Sequence, residues 1–323
     1  TGFKLTSNGV FGNDAYGEYV YMAIRRPHKP PTAGTEVFNT SYAMGLPRFQ
    51  APFVADTIIQ SAKSNQYGQL FSRHREGQYL RTHTNGQSAN FSGWSWDFMN
   101  GTGTSYSSSD YFAWMFRRAP GFFDTVLYTG NGSANHQINH NLGAVPELLI
   151  VKQYDATRSW AVYSAVTGAG KFLILEKDDA VVTQSGIFDT APTSSLFTVD
   201  NNTYVNALNG KYQAFMFSSL PGISKVGSYT GTTYDINVDC GFTGGARFVL
   251  IKNADTQGDW FVFDTLRGII GGNDGYVRLN TSAAEVTTHD AIDPLSTGFK
   301  ITSTGLNAGL NNYNATYIFL AIA

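Results

Sequence analysis

The chain has 323 residues, 42% of them apolar and 14% charged, with a net charge of −2 at pH 7. That is enough apolar material for two or three domains with real cores. Residues 1–121 carry +4 and the remainder −6, an excess too small to neutralise the several phosphates that a nucleic acid presents, so no nucleic-acid role is expected. No apolar run nears the ~20 residues that a bilayer-spanning helix needs, so no membrane insertion is expected. The single cysteine, Cys240, cannot make an internal disulfide.

Taken in order, residues 1–27 read as the tail of a repeat. Thr1 to Ser7 is written again at Thr297 to Ser303, and Tyr19 to Pro27 is an apolar strand followed by a turn. This tail is either left from an upstream repeat or a strand that closes the structure. The opening at Thr1 favours a fragment of a longer array. Residues 28–121 form a divergent first repeat. In it, Phe53 to Gln60 holds the place of a central strand, and Leu70 to Arg73, Gln78 to Arg81 and Trp94 to Phe98 are further candidate strands. The repeat ends in the apolar strand that begins at Tyr111 and in the Pro120-Gly121 turn.

Residues 122–222 and 223–323 are the clear copies. Pro120-Gly121 and Tyr128-Thr129-Gly130 recur at an offset of 101 as Pro221-Gly222 and Tyr229-Thr230-Gly231. Leu148 to Lys152 matches Phe248 to Lys252 at an offset of 100, and Trp160 matches Trp260. Each copy ends in an apolar strand, from Tyr212 or Tyr317. Short apolar or period-2 runs separated by Asn-Gly, Gly-Gly and Pro-Gly point to strands, with no helix of ten residues or more. The fold class expected is all-β, as tandem antiparallel β-sandwich-like repeats of about 100 residues. The closing strands are apolar on both faces, so they should lie inside a sheet that is covered on both sides.

The run from His140 through Leu142-Gly143 and Pro146 to Lys152 is a distinctive line. With Trp160 to Tyr163, Asp189 to Phe197 and Lys225 to Gly231, it resembles an uncharacterised domain family repeated in tail-fibre and other virion structural proteins of marine and cyanobacterial bacteriophages. The third copy departs from it, with Asp239 to Gly245 in place of the His-Leu-Gly-Pro line. The resemblance implies a virion or extracellular setting, other virion chains as partners, and a homo-oligomer, with a trimer favoured. It supplies no catalytic residues.

Packing competes with each candidate chemistry. Trp94 and Trp96, two apart on a strand, could stack on a sugar of a host surface glycan, but burial rewards two indoles by several kcal/mol each at about 25 cal/mol per Å2. Arg73, Arg75 and Arg81, with the pairs Arg25-Arg26 and Arg117-Arg118, could meet an anionic glycan or line an interface. The pair His136 and His140 lacks a third metal ligand, and His140 is read instead as pinning the turn before Leu142. Asp178, Asp179, Asp235 and Asp239 fit neither a Ca2+ loop nor a recognisable glycosidase pair. The Gly-rich stretch from Gly268 to Gly272 is read as a hairpin loop. No cofactor, metal or catalytic site is expected, and the protein is read as a non-enzyme that attaches through its loops. The alternative is a secreted carbohydrate-binding module or glycan-degrading enzyme.

Overall fold

The structure, a computed structural model, describes residues 29–64 and 68–323. It is all-β and built three times over. The first unit comprises β1 (Phe38–Tyr42), β2 (Phe49–Gln50), β3 (Thr57–Ala62), β4 (Gln69–Ser72), β5 (Gln78–Arg81), β6 (Ala89–Asn90), β7 (Trp94–Ser95), β8 (Gly101–Thr104) and β9 (Tyr111–Phe116). The second comprises β10 (Phe123–Thr129), β11 (His136–Asn139), β12 (Leu148–Gln153), β13 (Ala161–Ser164), β14 (Lys171–Ile174), β15 (Val182–Thr183), β16 (Leu196–Val199) and β17 (Lys211–Phe217). The third comprises β18 (Ser224–Thr230), β19 (Ile236–Asp239), β20 (Phe248–Asn253), β21 (Trp260–Asp264), β22 (Asp274–Arg278), β23 (Val286–His289), β24 (Ile292–Leu295), β25 (Gly298–Ile301) and β26 (Thr316–Ile322).

Each unit forms one six-stranded antiparallel sheet and one small sheet. The large sheets run β1-β9-β3-β4-β5-β6, β10-β17-β12-β13-β14-β15 and β18-β26-β20-β21-β22-β23. The closing strands β9, β17 and β26 are interior, as their two apolar faces require. Their side chains alternate between two different cores. On β9, Phe112, Trp114 and Phe116 enter a core shared by all three units, while Ala113 and Met115 enter a core belonging to the first unit. On β26, Ile318, Leu320 and Ile322 face the shared core, and Tyr317, Phe319 and Ala321 face the third unit's own. The small sheet of each unit belongs to this private layer, so each unit is sandwich-like.

The repeat is visible in the register. Tyr111, Tyr212 and Tyr317 stand opposite Ala62, Gln153 and Asn253, the last residues of β3, β12 and β20. The central strand of the first unit starts at Thr57 rather than Phe53. The Leu70 to Arg73 strand ends at Ser72, and Arg73–Arg75 turns as a 3-10 helix. Gly268 to Gly272 lies in the hairpin loop between β21 and β22. The only α-helix among the described residues is the single turn Thr203–Asn206. The expectations for residues 1–27 and for Tyr19 fall outside the described residues.

The three units close head to tail. The residue before the sixth strand of each sheet donates its amide to the residue just past β3, β12 or β20 of the next unit. Ser88 N donates to Tyr154 O, Val181 N to Ala254 O and Glu285 N to Lys63 O, each at 2.8 Å. The first two seams add an indole and an ammonium. Trp160 Nε1 donates to the carbonyls of Arg81 and Thr84, and Trp260 Nε1 to that of Ile174. Lys152 Nζ donates to Asn85, Gln153 and Arg158 carbonyls, and Lys252 Nζ to those of Asp178 and Asn253.

The third seam is built differently. The first unit has Gly68 where the others have tryptophan, and Ser61 where they have lysine, as the registers of β3 and β4 show. Thr82 Oγ1 fills in by donating to Leu279 O at 2.7 Å. Trp114, from a different strand, donates its Nε1 to Asp264 Oδ2 at 2.8 Å. Asp264 in turn holds Arg267 through Nε at 2.8 Å and Nη2 at 2.6 Å, and Arg267 Nη1 reaches Glu285 at 3.0 Å. The Arg267 guanidinium lies 4.2 Å from the centre of the Phe112 ring. Both partners of the Asp264–Arg267 pair are buried, so removing either leaves an uncompensated charge in a dry seam. Arg267→Met should lower the unfolding free energy by about 3–5 kcal/mol, and Trp114→Phe by about 1.5–3 kcal/mol for a bond to a charged acceptor. Denaturant titration of the full chain checks both, and unchanged midpoints would show that this seam carries no load.

Candidate functional site

The structure brings Trp94, Trp96 and Arg73 together, with the two indoles 5.9 Å apart and the Arg73 guanidinium 4.9 Å from the Trp96 ring centre, and places Arg75 and Arg81 elsewhere. Trp94 and Trp96 are buried in the first unit's private core at 8% and 5% exposure. Trp94 stacks on Phe71 with ring centres 3.9 Å apart. Neither indole offers a face to a sugar, because burial is where two such large apolar groups gain most. Arg73 donates to the carbonyls of Ala55 and Trp96. Arg75 is buried at the first seam, with Nε on Gln213 Oε1 at 2.7 Å and its guanidinium 5.1 Å from the Tyr154 ring centre. Burial brings its pKa down to about 10. Arg81 is exposed, and its Nη2 donates to the Tyr79 hydroxyl. Arg118 pairs with Asp124 at 2.6 Å.

His140 does pin its turn, accepting Leu142 N at Nδ1, with Nε2 at 3.1 Å from Thr193 O. His136 Nδ1 lies 3.0 Å from Asn206 Oδ1. Among the described residues no three His, Cys, Asp or Glu side chains gather as a metal site. The shared core holds a cavity of about 40 Å3, lined by all three units and almost wholly apolar. It has room for water but almost no polar partners for one.

What the sequence did not signal is a repeated loop tip. In the second and third units the Tyr-Thr-Gly motif ends β10 and β18. The glycine lets a second loop approach, since a Cβ on Gly130 or Gly231 would sit 2.2 Å from Ala207 O or 2.1 Å from Asn312 O. Beneath the tip two tyrosines stack, Tyr128 on Tyr212 at 5.0 Å and Tyr229 on Tyr317 at 4.8 Å. Their hydroxyls are spent on the second loop, Tyr128 on Val205 O and Tyr229 on Leu310 O.

A fully buried asparagine then ties the two loops together. Asn311 Oδ1 accepts Thr232 N and Thr233 N, and its Nδ2 donates to Tyr234 O and Thr302 O. Asn206 does the same for Asn131 N and Ser133 O. On this clamp sit the side chains that differ between units. The second unit carries Ser133 and, 69% exposed, Leu208; the third carries Tyr234 and Tyr313, 76% and 75% exposed. In the first unit Met44 and Leu46, also exposed, follow the corresponding end of β1. Beside Tyr234, the Asp235 carboxylate accepts Ser303 N at 2.7 Å, a bond that holds it below the ordinary carboxylate range, and lies 3.4 Å from Lys300 Nζ. Lys300 also pairs with Asp293, which raises its pKa.

A family model matches residues 53–323, from just before β3 to the C-terminal residue. The chain belongs to the DUF7483 family, a domain of unknown function. No protein with a curated description matches it in sequence. The DUF7483 match takes in the closing strands, the seams after β3 and both clamped tips, so the tip belongs to the family's span.

Two outcomes follow from the clamp. Asn311→Ala strands several buried backbone groups and should cost about 1–3 kcal/mol. It should also speed amide exchange at Thr232 and Thr233, read by hydrogen exchange. Burial raises the phenols of Tyr128 and Tyr229 well above their ordinary value, and that of Tyr212 to about 12. Above pH ~10 the unfolded chain therefore binds fewer protons than the folded one, and stability falls. Lys152 and Lys252, brought down to about 8 by burial, act oppositely, so stability rises from pH 8 towards the unfolded lysine value. Melting temperature against pH should peak near pH ~10 and drop beyond it, with a shallower drop in Tyr229→Phe.

Proposed function

We propose that this DUF7483 protein is a structural and attachment component of a phage-like particle, without chemistry of its own. The reading rests on the His140 to Lys152 line and its companions, and on one structural feature. Large side chains are held out in solvent on loops that are themselves bolted down by buried tyrosines and asparagine. Exposed Tyr234 and Tyr313 gain little from folding, and rigid aromatic groups at a surface are what contact sites use. A ring with one continuous core supplies a stiff base for them. In this reading its partners are other virion chains and a host surface, and its approximate threefold plan suits a place on the axis of a trimeric assembly. The exposed tyrosine pair also favours a second reading, a secreted carbohydrate-binding module outside any particle.

The test is adsorption of the labelled full-length protein to a panel of intact bacterial cells, marine cyanobacteria included. Saturable surface binding to some strains, competed by phage that infect them, is the expected result. Absence of binding to every strain whose phages carry the protein would remove the attachment role.

A further inference from the structure

The third unit's tip differs from the second in a way that the fold does not require. Ser133 and Leu208 serve the same two positions in the second unit, on the same buried asparagine and tyrosine frame. Tyr234 and Tyr313 are thus free of a packing role, and they sit on loops joined through Asn311 and through Asn314 N donating to Gly231 O at 2.8 Å. Beside the rings the loops carry the Asn312 and Asn314 side-chain amides, while the hydroxyls of Thr232 and Thr233 bond the loop's own backbone. A stable protein partner would call for roughly 800 Å2 of contact on each side, whereas the tip offers two rings and their flanking amides. A flat ring beside side-chain amides matches a pyranose, which has an apolar C–H face and a rim of hydroxyls.

Charge narrows the class. Asp235 and Asp293 both contact Lys300, so one ammonium answers two carboxylates, and Asp290 lies close enough to both to feel their charge. The local field is negative, which repels an acidic polysaccharide and tolerates a neutral or an amino sugar. We infer that the tip formed by Tyr234, Tyr313 and Asp235 is a saccharide-binding site for a neutral or amino sugar. This rests on the attachment reading and names the chemistry of what is attached to.

A glycan array probed with the full-length chain tests it, using neutral, amino and acidic glycans. The expected result is retention of neutral or amino glycans, weakened about tenfold or more by Tyr234→Ala with Tyr313→Ala. Leu208→Ala should leave binding unchanged. Melting curves confirm that each variant is folded, and Tyr234→Phe with Tyr313→Phe should retain binding through the ring faces. Retention of no glycan, preference for acidic glycans, or equal binding by the double alanine variant would overturn the site. Cell adsorption separates the two ideas: adsorption that survives the double alanine variant sinks the saccharide site and leaves attachment standing, whereas loss of adsorption only in that variant supports both.

Discussion

The structure depends on one requirement, that three apolar sheet faces be hidden from water by one another. Each six-stranded sheet has two greasy faces. A small sheet and its loops cover one. The other, carrying Phe112 to Phe116, Phe215 and Phe217, or Ile318 to Ile322 on alternate positions, has among the described residues nothing of its own unit to cover it. Only the other two units can, so a single unit would expose a sheet face to solvent and the hydrophobic effect holds the ring together. Hydrogen bonds across the seams then fix the rotation of one unit against the next, because each buried donor needs its acceptor.

The closing seam shows how such a plan survives divergence. With Gly68 and Ser61 at the tryptophan and lysine positions, the first unit lacks the groups that the other two use. The indole returns on β9 as Trp114, and the charge returns on the far side as Arg267, held by Asp264 and Glu285. The substitutes differ in chemistry but serve the same requirement, a satisfied polar group at a dry boundary. Glu285 takes part twice, through its amide to Lys63 and its carboxylate to Arg267.

Much of this was legible in the residues. Internal repetition revealed the units, and alternation on the closing strands revealed an interior strand covered on both faces. His140 was readable because a histidine two residues before a Leu-Gly turn has one near acceptor role to play. The ring was not legible, since the pairing of Ser88 with Tyr154 or of Glu285 with Lys63 leaves no mark in either local sequence. Trp94 and Trp96 showed the limit of spacing. Two residues apart says that they share a face, and not whether that face is wet. Arg75 misled for a similar reason, because Arg73-His74-Arg75 reads as a surface while Arg75 itself is buried against Tyr154. The tips stayed hidden because Tyr234 and Tyr313 lie 79 positions apart, and only the folded loops and Asn311 bring them to one end of the unit.

A closed ring of three seams is tested most directly by native-state hydrogen exchange at three amides, Ser88, Val181 and Glu285. In a closed ring all three exchange slowly and together, at the rate of the shared core's own strands, because opening one seam exposes the face that all three cover. Fast exchange at Glu285 with slow exchange at the other two would mean an open row of units and would contradict the ring.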